Sequence, residues 1–288
     1  MTLTLARHPR TDRTDGRARD WAEIQERMLV PLYEAVHERL EVGPRTRLLG
    51  IGCGSGLALL MASARGAAVT GCEEDERRLA LARQRLLPEP QWGAPARAHG
   101  RTRLVSGGPR AVSATDGAPF TVVTALDPGA APEALVPALR AAAGLAERGS
   151  PVVLAGWGPP ERCASGRVLR VAARLAEPRG ATAGAPAGAA GAAGAAVRLS
   201  GRDDLELLAR DAGLRPDGSG RVSCPFGYPD MDSAVRGLIS TGLFDAAVAA
   251  TDQDQVGKEL REALHAYRRA DGTVRMENVF RYLVARVV

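Results

Sequence analysis

A glycine-rich turn is the clearest chemical feature of the sequence. Residues 48–56 read LLGIGCGSG, with Gly50, Gly52, Gly54 and Gly56 at alternate positions after a short apolar run. Glycine has no Cβ, so such a turn can bend sharply and bring bare backbone against a ligand. The pattern therefore predicts a strand, a ligand-binding turn and then a helix.

The spacing of the glycines distinguishes two kinds of ligand. A dinucleotide-binding turn has G-x-G-x-x-G, whereas Gly52, Gly54 and Gly56 form G-x-G-x-G. The tighter spacing favours a nucleoside without a pyrophosphate, and an NAD-type dinucleotide stays as an alternative. Glu73, with Glu74 beside it, ends the next apolar run, where a carboxylate can accept hydrogen bonds from ribose hydroxyls.

The same residues also have a purely structural interpretation. The glycines could serve only to make a tight turn, and the acids of residues 73–76 could cap the next helix, whose dipole favours negative charge there. The predicted strand before the turn and the helix after it favour ligand binding, because the motif requires that context.

Strands and helices alternate around this turn. We predict strands in RLLGI, AAVTGC, TRLVS, FTVVTAL and SPVVLAGW, with helical segments between most of them. This order implies right-handed βαβ crossovers and a doubly wound, mostly parallel α/β sheet with helices on both faces. Apolar residues at three- and four-residue intervals from Trp21 to Leu40 predict a further helix before the first strand.

The remaining segments set the domain organisation. Residues 1–20 alternate arginine with aspartate and predict a mobile N-terminal arm, with one domain over residues 21–288. Residues 180–196 predict a flexible insertion, because glycines and a proline interrupt the alanines. Residues 230–268 predict a helical stretch, and the chain ends in a predicted strand.

Composition excludes several classes of protein. The net charge of +5 comes from arginines spread along the whole chain, which argues against nucleic acid as the partner. The four cysteines have neither paired nor metal-ligand spacing, so we expect reduced thiols and no metal site. The polar N-terminal sequence and the lack of a long apolar run predict a cytoplasmic protein without membrane contact.

Two segments carry a resemblance to a known family. RLLGIGCGSGLALLMASARGAAVTGCEEDERRLALAR and VVLAGWGPPERC resemble the class I S-adenosylmethionine-dependent methyltransferases, in particular bacterial enzymes similar to the ubiquinone/menaquinone-biosynthesis methyltransferases. The resemblance extends from Trp21 to the C-terminus. It implies a Rossmann-like sheet of seven strands, in which the last strand is antiparallel and inserted beside the fifth.

The resemblance also implies a cofactor and its contacts. S-adenosylmethionine would be bound by Gly52, Cys53, Gly54, Gly56, Glu73, Glu74 and Gly108. The backbone near Gly54 would face the methionine part, while Glu73 would hold the ribose and Glu74 would flank the adenine. Gly108 follows the third predicted strand, where the family commonly has an aspartate for the adenine amino group.

Further expectations concern the acceptor side of the site. Trp21, Gln25 and Arg27 would close over the ligand, and residues 225–268 would form a helical lid that shapes the acceptor pocket. Tyr228 and Asp230 lie within that lid segment.

Three positions depart from the family pattern. Gly50 stands where the family usually has an acid, Gly108 replaces the adenine-binding aspartate, and Thr121 replaces an aspartate at the start of the fourth strand. Each lost charged hydrogen bond would weaken binding by about 1.5 to 3 kcal/mol if nothing replaced it.

The sequence therefore predicts a methyltransferase acting on an unidentified small molecule. Methyl transfer from a sulfonium needs mainly alignment and exclusion of water, so no fixed catalytic motif is required. We assign no catalytic residue: His265 is a lone histidine near the last turn, and a surface position explains it as well. The alternatives are a methyltransferase-like binding or regulatory protein that has lost catalysis, and a nucleic-acid-binding protein that uses the N-terminal arm.

Overall fold

The protein is built on one seven-stranded sheet. The computed structural model describes residues 13–87, 101–112, 118–176, 201 and 203–288. The strands are β1 (Arg47–Ile51), β2 (Ala68–Glu73), β3 (Thr102–Ser106), β4 (Val122–Ala125), β5 (Pro151–Trp157), β6 (Leu214–Ser223), β7 (Phe226–Tyr228), β8 (Val274–Met276) and β9 (Val279–Val287). The sheet has the order β3-β2-β1-β4-β5-β9-β6, and β7 and β8 form a separate antiparallel pair.

The strand directions match the predicted fold. Strands β1 to β5 are parallel, whereas β9 is antiparallel to both β5 and β6. The last strand thus lies beside the fifth, as predicted. The prediction of a doubly wound α/β sheet with an antiparallel last strand is confirmed.

Helices cover both faces of this sheet. They are α1 (Arg13–Asp20), α2 (Val30–Arg39), α3 (Leu57–Ala64), α4 (Glu76–Leu86), α5 (Pro132–Ala143), α6 (Ser165–Ala176), α7 (Asp204–Asp211), α8 (Met231–Ser240), α9 (Asp245–Ala250) and α10 (Gln253–Leu264). The predicted helical stretch over residues 230–268 consists of α8, α9, α10 and a 3-10 turn at His265–Tyr267. The sequence did not predict α6, and the predicted C-terminal strand is divided into β8 and β9.

The N-terminal region differs from its prediction. Residues 13–20 form α1, which contacts α4 and α8, and Ala18 is buried, so the predicted arm does not extend to residue 20. The predicted helix from Trp21 to Leu40 is irregular: a π-helical turn covers Trp21–Gln25 and a 3-10 turn covers Glu26–Leu29 before α2 begins. Residues 1–12, the insertion at 180–196 and residue His99 lie outside the described residues.

The central strands are buried on both faces. In β5, Val153 and Ala155 belong to the core under α2, α6 and α10, whereas Val152 and Leu154 belong to the core under α5 and α7. Burial on both faces is typical of parallel strands between two helical layers. This packing fixes the carboxyl ends of the strands as one rigid edge.

His37 on α2 is a buried ionisable group within this core. It is 1% exposed, and neither ring nitrogen has a hydrogen-bond partner. Burial, with a smaller effect of the Arg65 charge, lowers the pKa of His37 from 6.5 to about 4. The fold therefore requires a neutral imidazole at this position.

We expect His37 to make the protein less stable in acid. Between pH 6.5 and pH 4 the unfolded chain binds a proton that the folded chain does not, so the free energy of unfolding falls as the pH falls. The shift corresponds to about 3 kcal/mol over this window. Urea titrations from pH 7 to pH 4 should show the loss, and His37→Leu should remove this part of it. The exposed His265 is the matched control, because His265→Leu should leave the dependence intact.

Several chemical features of the described chain can be stated directly. All four cysteines are unpaired; Cys72, Cys163 and Cys224 are buried and Cys53 is half-buried. No cluster of three or more metal-ligating side chains is present among the described residues. None of the helices in that part of the chain has the length and apolar character needed to cross a bilayer.

Candidate functional site

The predicted site residues converge at the carboxyl edge of the parallel strands. The glycine turn follows β1, Glu73 ends β2, Gly107 and Gly108 follow β3, and Asp127 follows β4. Open α/β sheets bind their ligands at this edge, near the point where the strand order reverses. Here the order reverses at β1 and β4, so the glycine turn lies at that point.

The glycine turn has the backbone that its sequence predicts. Gly52, Gly54 and Gly56 all have positive φ, at 59°, 58° and 81°. A Cβ on Gly56 would lie 2.9 Å from the Leu86 side chain, so this glycine is needed for α3 to pack against α4. The Cys53 amide donates to the Cys72 carbonyl at 3.0 Å and ties the turn to β2.

Glu73 holds the glycine turn through its carboxylate. Oε2 accepts a hydrogen bond from the Gly54 amide at 2.7 Å, and Oε1 accepts one from the Asp75 amide at 3.0 Å. The residue is 8% exposed, and burial raises its pKa above the usual value despite these bonds. Glu73 therefore orders the turn, and a ribose would have to share oxygens that already accept backbone hydrogen bonds.

Glu74 and Gly108 are neighbours at the same edge. Glu74 is exposed, and a Cβ on Gly108 would lie 3.6 Å from Glu74 Oε1. The Gly107 amide donates to the Glu73 carbonyl at 2.8 Å, which brings the end of β3 against the end of β2. The structure thus brings Glu73, Glu74 and Gly108 together beside the glycine turn.

The crevice over the turn is filled by the protein's own side chains. A Cβ on Gly54 would lie 3.1 Å from Trp21 Nε1 and 3.1 Å from Glu26 Oε1. The space that remains is a cavity of about 20 Å³ on the glycine side of Trp21 and another of about 20 Å³ on its other side. Each cavity has room for about one water molecule.

Glu26 is fixed from behind by a buried polar network. Its Oε2 accepts hydrogen bonds from the Ser55 hydroxyl and from Arg85 Nη1, the latter at 2.8 Å. Arg85 also donates to the Ser55 carbonyl at 2.9 Å. The sequence analysis singled out none of these three residues, because their contact depends on the tertiary packing of three separate segments.

Trp21 is less well satisfied than Glu26. Its ring lies 4.4 Å from the Arg78 guanidinium, a cation–π contact, and Arg78 also donates to the Ser240 carbonyl at 3.0 Å. The side chain is 5% exposed, yet its indole N–H has no hydrogen-bond partner. An unpaired buried N–H costs about 1–3 kcal/mol, and the contact with Arg78 offsets only part of the cost of burying Trp21 in this position.

Other predicted residues occupy varied positions. Gln25 is buried and accepts a hydrogen bond from the Tyr228 hydroxyl at 3.0 Å, which joins the π-helical turn to β7. Asp230 caps α8 by accepting the Ser233 amide at 2.7 Å. Arg27 and His265 are exposed, and neither lines the two cavities.

Gly50 has a packing role that the sequence did not reveal. It pairs with Gly71 across β1 and β2, and the Leu59 side chain of α3 fills the notch between them. A Cβ would lie 2.9 Å from Leu59 Cδ2 at Gly50 and 2.5 Å from Leu59 Cδ1 at Gly71. Leucine thus takes the space that an acid at position 50 would need.

Thr121 lies at the other edge of the sheet. Its hydroxyl accepts a hydrogen bond from the Arg47 amide at 3.0 Å, at the start of β1. It is therefore remote from the glycine turn, and this departure from the family pattern has no direct effect on a ligand at the carboxyl edge.

Asp127 and Tyr33 are site residues that the sequence analysis missed. Both line the cavity beside Gly52 and Gly54, and Asp127 lines the second cavity as well. Asp127 Oδ1 accepts the Gly129 amide at 2.8 Å. Burial, together with the charges of Glu26 and Asp127, raises the pKa of Tyr33 well above its usual value. The sequence did contain one indication that Asp127 belongs to the site, because this residue directly follows a predicted parallel strand.

A larger cavity lies elsewhere among the described residues. It measures about 610 Å³ and is lined by residues of the amino edge, among them Arg45, Arg47 and Arg103. Size alone does not make it the candidate site, because the reversal of strand order places ligands at the carboxyl edge.

Comparison with known structures identifies the fold. A protein from Bacillus halodurans C-125 with a provisional methyltransferase designation matches with a TM-score of 0.53 and 12% identity, over 88% of this chain and 98% of that one. The cyclopropane synthase MmaA2 from Mycobacterium tuberculosis matches at 0.51 and 12%, over 89% and 84%. The [4+2]-cyclase SpnF matches at 0.50 and 14%, over 89% and 80%.

The protein therefore has a Rossmann-like methyltransferase fold. No family model and no curated protein matches the sequence. At these identities the similarity establishes the fold alone, and the neighbours named as a synthase and a cyclase show that one fold accommodates different reactions.

Proposed function

We propose that the protein binds S-adenosylmethionine at the carboxyl edge and transfers its methyl group to a small molecule. The observation that carries this proposal is the positive-φ glycine turn at the reversal of strand order, with the Glu73 carboxylate against it. That combination gives a nucleoside both backbone to approach and a carboxylate for its sugar.

The types of residue present suit this cofactor, but the space between them is too small to hold it. Glycine backbone, Glu73, Glu74 and Gly108 would surround an aminoacyl nucleoside, and Asp127, which lines the glycine-turn cavity, would supply a carboxylate to offset its positive charge. Two cavities of about 20 Å³ cannot hold such a molecule. Binding therefore requires the Trp21 side chain to leave its place between the two cavities.

The chain's own residues would have simple tasks in the reaction. The bound cofactor supplies a methyl carbon activated by sulfonium, so the protein has to align donor and acceptor and exclude water. Asp127 lines both cavities, and its carboxylate can accept the proton of an acceptor hydroxyl as the oxygen attacks the methyl carbon. The sulfur would keep the electrons of the broken C–S bond.

Calorimetry with S-adenosylmethionine and S-adenosylhomocysteine tests the proposal. We expect binding of both at micromolar to millimolar concentration, and at least tenfold weaker binding in Gly52→Ala, because the new Cβ would stand in the crevice at positive φ. Absence of binding to either ligand by both the native protein and Trp21→Ala would contradict the proposal.

Gly149→Ala is the matched control for Gly52→Ala. Both glycines have positive φ and no atom within 4 Å of an added Cβ, but Gly149 precedes β5 at the amino edge. Each variant should lose about 1–2 kcal/mol of stability from the left-handed backbone. Only Gly52→Ala should lose affinity; equal losses would indicate a general effect of strain.

A second candidate function follows from the filled crevice. Trp21 and Glu26 occupy the place of the ligand, which favours a methyltransferase-like binding or regulatory protein without catalysis. In that case the native protein would bind neither nucleoside at millimolar concentration, while Trp21→Ala would bind both. Production of S-adenosylhomocysteine by the native protein in a cell lysate would argue against it.

A further inference from the structure

The cavity on the far side of Trp21 has an unusual lining. Its walls include Trp157 at the end of β5, Phe226 on β7 and Phe280 on β9, with Leu29 and Leu243 beside them. Among the described lining residues, Asp127 is the only charged side chain, and it stands at the border with the glycine-turn cavity. This space is therefore an apolar chamber adjoining the proposed methyl donor.

The three aromatic side chains form one packed group. The ring centroid of Phe280 lies 4.7 Å from that of Trp157 and 5.9 Å from that of Phe226. The centroids of Trp157 and Phe226 are 6.0 Å apart, and these two rings meet edge-on. Phe226 and Phe280 are fully buried, and the strands that carry them belong to two different sheets. Packed aromatic side chains thus build the chamber wall on this side, but the chamber of about 20 Å³ has to gain the space of Trp21 before it can hold more than one water molecule.

Apart from Trp21, whose indole N–H is also unpaired, one polar group in the chamber wall is left without a partner. Trp157 is 7% exposed, and its indole N–H is buried without a hydrogen bond. The other polar groups are already used, since Gln25 accepts the Tyr228 hydroxyl and the Thr241 hydroxyl donates to the Leu238 carbonyl at 2.6 Å. Buried donors are rarely left unpaired without a reason, and an absent ligand atom is one such reason.

We propose that this chamber is the acceptor subsite and takes a neutral, largely apolar molecule whose oxygen accepts the Trp157 hydrogen bond. An anion would meet Asp127 and the negative faces of three aromatic rings without a cation to balance it. A cation would be attracted by Asp127 and by the same ring faces, but it offers no lone pair to the indole N–H, so the unpaired donor favours a neutral acceptor. The proposal rests on the proposed function, because it names the substrate class of the same site.

The position of Trp21 supports the size and shape of this ligand. Its indole lines both cavities, so a molecule that replaces it would be planar or compact and about as large as a bicyclic ring. Such a ligand would occupy the chamber side of the space that Trp21 leaves, with its reactive atom near Asp127 and the glycine-turn side free for the cofactor.

A matched pair of probes tests the hydrogen bond. 1-Indanone and indane have nearly the same shape, but only indanone has an oxygen that can accept from Trp157. We expect indanone to bind about 3- to 10-fold more tightly, the effect of one net hydrogen bond. Indane-1-carboxylate should bind at least tenfold more weakly than indanone. Titrations would use the native protein and Trp21→Ala.

Nuclear magnetic resonance of the indole groups gives a direct readout. Indanone, and not indane, should move the Trp157 indole proton downfield, with the resonance assigned through Trp157→Phe. That variant should also remove the preference for indanone over indane. Equal affinities for the two probes, no shift of the Trp157 signal, or tight binding of the carboxylate would each overturn the proposal. The shift is measured on the unmutated side chain, so it decides even if Trp157→Phe does not fold.

These results separate the subsite from the proposed function. If S-adenosylhomocysteine binds and indanone leaves Trp157 unchanged, the subsite is wrong and cofactor binding stands. If indanone moves the Trp157 signal and neither nucleoside binds, the chamber is a small-molecule site without methyl transfer.

Discussion

Trp21→Ala should bind S-adenosylhomocysteine about 10- to 100-fold more tightly than the native protein. In the native protein the ligand has to expel a buried indole from the crevice, and burial of a large apolar side chain contributes about 1.5–3 kcal/mol. That energy subtracts from the apparent affinity as long as the closed form dominates. Isothermal titration of both proteins measures the ratio.

The same substitution should lower stability. Replacing a buried tryptophan by alanine costs about 3–5 kcal/mol, and the Arg78 contact is lost as well. Tighter binding in a less stable protein is an outcome that general loosening of the fold does not explain. Leu32→Ala is the matched control for loss of stability alone, because Leu32 is fully buried on α2 and lines neither cavity. It should lower stability without tightening binding.

The opposite result would change the interpretation of Trp21. If Trp21→Ala bound the nucleoside more weakly than the native protein, the indole would be a wall of the occupied site and not its plug.

Gly50→Asp should destabilise the protein severely, by more than about 4 kcal/mol. The new Cβ would lie 2.9 Å from Leu59 Cδ2, and overpacking of this kind costs about 1–3 kcal/mol before any charge is considered. The carboxylate would also be placed beside Leu59 and Cys53, in a cavity lining that already holds the acids Glu26 and Asp127, so burying a further negative charge there adds several kcal/mol. Urea unfolding at pH 7 measures the loss.

A compensating variant separates the two effects. Leu59→Ala alone should cost about 2–5 kcal/mol by leaving a cavity, but in Gly50→Asp/Leu59→Ala the acid gains the space that leucine held. The double variant should therefore be more stable than the sum of the single changes, with a coupling of at least about 1 kcal/mol. Simple additivity would show that Leu59 is not what excludes the acid. Gly50→Ala, which has the Cβ without the charge, measures the steric part.

The sequence alone determined the fold to a considerable depth. Alternating apolar strands and helices specified the parallel sheet, and the glycine spacing located the turn after β1, because both depend on residues close together in the chain. The prediction that the last strand is antiparallel and lies beside the fifth came from the family resemblance. Helix α6 was missed although it is amphipathic, because its apolar residues were not recognised beside the fifth strand and the insertion that follows.

Only the tertiary structure decided what lies over the glycine turn. Glu26, Ser55 and Arg85 come from three separate segments, and nothing in their local sequence indicates that they meet. The same holds for Gly50, whose missing acid looked like lost chemistry until Leu59 was found in its space, and for Asp127, whose importance depends on lining two cavities at once. Local sequence patterns specify helices, strands and turns, whereas long-range packing decides which side chain fills a crevice. The sequence therefore predicted the glycine turn, and the structure revealed that Trp21 fills the crevice over it.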